Sequence, residues 1–167
     1  MTEFANWLHH TSLSLFFQGQ VRWLWPTCEA LHFAGLALLL GVAGMFDLRL
    51  LGLMKRVPVS AVAEFMPWAI IGFFINLVTG LIFVISEPAQ YFSSPIWWLK
   101  VAFLCVSGAN AAVFQVLCAG RITALPDGGN TPVSFKVIGA LSLFAWLGVL
   151  WAGRMLPFIG ASVGAGL

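Results

Sequence analysis

The chain has 167 residues, of which 60% are hydrophobic and 8% charged, with a net charge of +2 and a mean hydropathy of +0.96. About a quarter of the residues of a soluble domain are charged, so this composition marks an integral membrane protein. The few scattered basic residues exclude nucleic acid as a partner and leave the lipid bilayer.

Residues 1–20, MTEFANWLHHTSLSLFFQGQ, lack a basic leader and a small-residue cleavage site, so they are not expected to be a cleaved signal. Phe4, Trp7, Leu8, Leu15, Phe16 and Phe17 alternate with polar residues. The pattern predicts an amphipathic helix in the membrane interface over about 1–21, with Thr11 and Ser12 as a break or new N-cap. His9 and His10 fall in this segment.

The first span is predicted at about 25–47, within WPTCEALHFAGLALLLGVAGMFDLRLLG. A bilayer core takes about 20 helical residues to cross. Glu29 and His32 therefore fall inside one leaflet, while Asp47 and Arg49 emerge at the opposite surface. Glu29 and His32 share a face with Trp25 and Leu36, and burying them is costly unless each finds a partner. Asp47 and Arg49 read as topology and helix-ending residues.

The second span is expected at about 65–85, with Pro67 in its first turn, Asn76 mid-way and Thr79-Gly80 a turn later. SEPAQYFSSP reads as a polar connection. The third, about 96–118, carries Lys100 one turn in, Asn110 mid-way and Gln115 beyond. GRITALPDGGNTPVS is a turn-rich loop. The fourth, about 135–156, closes with Trp146, Trp151 and Arg154, before a GASVGAGL tail expected to be flexible. The expectation is thus an all-α, four-helix membrane bundle forming a single domain over 1–167.

Arg49, Lys55, Arg56, Arg121 and Lys136 sit in two connections, whereas the intervening one holds only Glu87. The excess of basic residues on cytoplasmic loops then places both termini in the periplasm, although Arg22, Lys100 and Arg154 stand at the outer ends. In this orientation Glu29, His32, Lys100 and Arg154 gather in the outer leaflet, below His9 and His10. Asn76 and Asn110 fall near the midplane, where either can bond the other or a bound group.

WPTCEALHFAGLALLLG followed by DLRLLG resembles a family of small bacterial inner-membrane proteins classed as a domain of unknown function. PWAIIGF and TG in span two, Lys100 at the start of span three, NAAVF and LSLFAWLGVLWAGR extend the likeness from Trp25 to Arg154. The resemblance implies a four-helix fold in a bacterial inner membrane and no established activity. Relatives often carry histidine where this chain has Gln115, which puts in doubt a ligand role at that position. A looser similarity, to copper-resistance D-type membrane proteins, rests on a histidine and glycines in an apolar helix.

Three function classes follow. In the first, His32 is the axial ligand, and so the metal-binding residue, of a b-type haem in an electron-transfer protein or redox subunit. Glu29 would accept the second imidazole proton, Lys100 or Arg154 would pair with propionates, and Asn110 would bond the bound group. A second ligand would come from His9, His10, a methionine, Lys100 or another subunit. The second class is a transporter or channel for a small solute, ion or proton, with Glu29, His32 and Lys100 as relay or gate. The third is an accessory subunit of a larger membrane complex. Each residue also has a packing role to set against these. His32 divides evenly between the two, Glu29–Lys100 suits a structural ion pair, and Arg154 alone suits snorkelling to headgroups. Gly35, Gly41, Gly44 and Gly108 suggest close helix approach and a homo-oligomer. Cys28, Cys105 and Cys118 read as buried free thiols; a copper site of Cys28, His32 and a methionine matches no recognisable spacing. No catalytic motif is present.

Overall fold

The computed structural model describes residues 2–20, 23–118, 120–121 and 129–160. Arg22, most of the turn-rich loop around Asp127, and the tail from 161 onward lie outside the described residues. Among the described residues the fold is all α, with four helices long and apolar enough to cross a membrane. These are α3 (Leu24–Leu50), α5 (Met66–Ser86), α7 (Pro95–Leu117) and α8 (Val133–Gly160). Shorter helices accompany them: α1 (Thr2–His9), α2 (Ser12–Leu15) running into a π turn (Phe16–Gln20), α4 (Val59–Ala63) and α6 (Pro88–Ser93). The SEPAQYFSSP connection is therefore itself helical in part. Prolines open α5, α6 and α7, where the missing N–H would be unpaired anyway.

Two antiparallel pairs, α3 with α5 and α7 with α8, join through a contact of α3 with α8. The helices thus follow one another in the order α5, α3, α8, α7. Glycine sets the close approaches. Across α3 and α5, a Cβ on Gly72 would stand 2.6 Å from the Gly35 carbonyl oxygen and 2.8 Å from the Leu39 nitrogen. Across α3 and α8, a Cβ on Gly139 would meet the Asp47 carbonyl oxygen at 2.9 Å. Small residues at crossings are how membrane helices gain packing, since lipid tails remove the hydrophobic drive between them. Gly35 is spent inside the bundle, whereas Gly41, Gly44 and Gly108 have nothing within 4 Å of an added Cβ. Phe33, Phe74, Val116, Phe144 and Trp151 are all exposed, as lipid-facing positions are.

The bundle has a terminal end, where α3 and α7 begin, and a loop end, where α5 and α8 begin. At the terminal end the N-terminal segment docks on the last turn of α5. Thr11 N-caps α2. Ser14 Oγ donates to the Ile85 carbonyl at 2.8 Å, and Gln18 Nε2 donates to that of Ser86 at 2.9 Å, so two carbonyls left over at a helix end are satisfied. At the loop end DLRLLG stops α3. Gly52 adopts φ +93°, its N–H bonds Arg49 O and that of Leu53 bonds Leu48 O, the paired bonds of a Schellman stop.

Candidate functional site

His32 lies on the face of α3 that meets α5. Its Nδ1 is 2.7 Å from Thr79 Oγ1, and that hydroxyl is also 2.7 Å from the Ile75 carbonyl one turn back. A hydroxyl has one proton, and the carbonyl can only accept. Thr79 therefore donates to Ile75, and His32 Nδ1–H donates to Thr79. This tautomer follows from the network and leaves the lone pair on Nε2. The ring sits over Gly80, where an added Cβ would stand 3.7 Å from Cε1. Phe83 flanks it at 5.4 Å between centroids and in turn packs on Trp25 at 5.0 Å.

Glu29 does not take up the imidazole proton; that partner is Thr79. The Glu29 carboxylate is exposed and accepts from Trp25 Nε1 at 2.9 Å. Lys100, half-buried, holds its ammonium 5.8 Å from the Trp97 ring centroid and about as close to α8 as contact allows, 3.7 Å from where a Gly153 Cβ would be. It is near enough to His32 for its charge to act on the imidazole. The partners of Glu29 and Lys100 are thus indole rings. Arg154 is exposed and lies over Phe158, 4.9 Å from the ring centroid.

The structure brings His32, Thr79, Phe83, Trp25 and Glu29 together, with Lys100 in electrostatic reach. It does not bring in Asn110, which is ten residues along α7 from Lys100, about 15 Å of helical rise. Asn110 donates instead to the Ile138 carbonyl of α8 at 3.1 Å. Asn76 likewise donates to Gly72 O in its own helix, so neither asparagine bonds the other. His9 and His10 pair edge-on with centroids 5.4 Å apart, on a segment packed against α6 and the end of α5. Cys28 and Cys118 are buried; Cys105 is exposed, unlike the sequence reading. Among the described residues no three His, Cys, Asp or Glu side chains stand together as a metal-holding set. Thr79 and Gly80 were visible in sequence as a T-G pair a turn after Asn76, but only the pairing of α3 with α5 sets them under His32.

Above this cluster, outside the spans, Tyr91 of α6 is half-buried. Burial, with the Glu87 and Glu29 carboxylates nearby, pushes its phenol up to about 12. The folded value lies above the unfolded one of about 10. The resulting stabilisation is fully present below about pH 10 and is lost as pH rises through about 12. Tyr91 is the one tyrosine in the chain, so tyrosinate absorbance reads it directly. The expected midpoint is near 12 and falls in Glu29→Gln; a midpoint near 10 in the folded protein would put the phenol in water.

No protein family, curated protein or solved structure matches this chain.

Proposed function

We propose that this multi-pass membrane protein is a small haem b protein of electron transfer, with His32 as an axial ligand through Nε2. The observation that carries the reading is the His32–Thr79 bond: it fixes the imidazole by Nδ1–H and leaves one nitrogen lone pair uncommitted in an apolar helix pair. A histidine ligand to a metal characteristically has its other N–H held in this way. The residues fit the group in other respects. Gly80 keeps the space beside the ring small-sided, Phe83 and Trp25 supply aromatic walls, and Lys100 supplies a cation for a propionate. Haem, when bound, would supply one-electron chemistry. The protein's own part is to orient the imidazole, exclude water and balance charge.

A second reading is a proton or small-ion relay. It is favoured by the ammonium of Lys100 lying in electrostatic reach of His32, and needs no chromophore. The visible spectrum of protein purified from haem-replete cells separates the two. A Soret band lost in His32→Ala supports haem, and a colourless wild type ends that reading.

The location we infer is a bacterial inner membrane, with both termini periplasmic. Lys55, Arg56 and Arg121 are exposed at the loop end, and basic loops stay in the cytoplasm. A reporter fused at Lys55 is expected to read cytoplasmic; a periplasmic reading would invert the bundle.

A further inference from the structure

The loop end buries a carboxylate that the His32 site does not use. Asp47 is only 4% exposed. Ser142 of α8 lies beside its carboxylate, while Oδ2 has no protein partner. Helix register brings two further oxygen-bearing side chains to this level. Asn110 is tied to the Ile138 carbonyl, one turn before Ser142 on α8, and its amide oxygen remains available as an acceptor. Ser107 lies one turn before Asn110 on antiparallel α7, which sets it level with Ser142. It is as buried as Asp47, and its hydroxyl also lacks a partner. Phe46, next to Asp47, meets Phe114 edge-on with centroids 5.3 Å apart. That contact binds α3 to the same face of α7 that carries Ser107 and Asn110.

The cations of this end turn elsewhere. Arg49, two residues on and so on the far side of α3, donates Nε to the Val57 carbonyl, while its Nη1 is buried without a protein partner. Lys136 lies along Gly52. Glu64, the other acid at this end among the described residues, is exposed on the turn after α4.

We propose that Asp47, Ser142, Ser107 and Asn110 form a site for one small monovalent cation of the sodium class, between α3, α7 and α8. The donors are all oxygen, which suits a hard cation rather than a soft or imidazole-seeking metal. One carboxylate among neutral oxygens matches a single positive charge; divalent sites recruit more. A buried carboxylate is expensive without a counter-charge, and a cation meets the two orphaned oxygens at once. This site is separate from His32 and stands or falls without it.

The test uses the full chain in detergent, with thermal unfolding followed as NaCl replaces choline chloride at constant ionic strength. A ligand bound only to the folded state raises the transition as it saturates. Wild type is expected to gain stability saturably with sodium, and Glu64→Gln to respond in the same way. Ser107→Ala should raise the half-saturating concentration about tenfold, the loss of one good oxygen contact. Asp47→Asn should abolish the response. If Asp47→Asn does not fold, Ser107→Ala and Ser142→Ala carry the test, together with sodium-23 line broadening that wild type shows and they weaken. Equal transitions in sodium and choline overturn the proposal, as does an unchanged sodium response in Ser107→Ala. A transition that moves with pH but not with sodium assigns the carboxylate to a proton and overturns it too.

Discussion

Gly72→Ala is expected to be the most damaging single methyl in the bundle. The added carbon would stand 2.6 Å and 2.8 Å from backbone atoms of α3, which cannot rotate aside as a side chain does. The helices would have to separate, and overpacking of this kind costs about 1–3 kcal/mol or more. Gly35→Ala should cost less. Its closest neighbours, Asn76 Nδ2 at 2.6 Å and Ile75 Cγ2 at 2.8 Å, are side-chain atoms, and the nearest backbone atom, Gly72 O, stands further off at 3.0 Å. Gly41→Ala, with nothing within 4 Å, should leave stability unchanged. Unfolding in detergent with graded denaturant ranks the three. Equal effects at Gly72 and Gly41 would mean that α3 and α5 do not cross where the structure places them.

The second large effect is expected at Thr79, and it rests on the haem proposal. Thr79→Val keeps the shape but removes the oxygen that accepts from His32 Nδ1–H. The imidazole then loses its fixed tautomer and orientation, and loss of such a partner typically weakens metal affinity about 10- to 100-fold. Thr79→Ser restores the hydroxyl and should restore occupancy. His32→Ala should be colourless at normal yield, whereas Glu29→Gln should retain colour, because Glu29 bonds Trp25. Reduced-minus-oxidised spectra and pyridine haemochromes measure all of these. Wild-type occupancy in Thr79→Val would show that the His32–Thr79 bond does not position a ligand.

The reach of the sequence differs between fold and site for a physical reason. Four long apolar runs with few charges can only be spanning helices, because a bilayer leaves backbone groups no other partner. The membrane class and the four-helix architecture are therefore local properties of the chain. So are the ends. Pro67 and Pro95 open helices, and Gly52 closes one, through backbone chemistry that needs no neighbour. His32 was equally conspicuous, since an ionisable group in an apolar helix stands out wherever it faces.

Which helix faces which partner is not local. Among apolar helices the sequence carries little amphipathic signal to orient them, and close packing at small residues decides. The crossing at Gly35 and Gly72 puts Thr79, rather than Glu29, against His32, and leaves Glu29 to Trp25. The pairing of α7 with α8 spends Asn110 on a backbone carbonyl far from His32. Asp47 and Arg49, read from sequence as surface residues that end a helix, are buried, at 4% and 1% exposure. The chain folds α4, the 51–58 turn and the start of α8 over them. Charge and hydropathy along one helix could announce that polar groups enter the bundle; only the assembled helices decided which of them are covered, and by what.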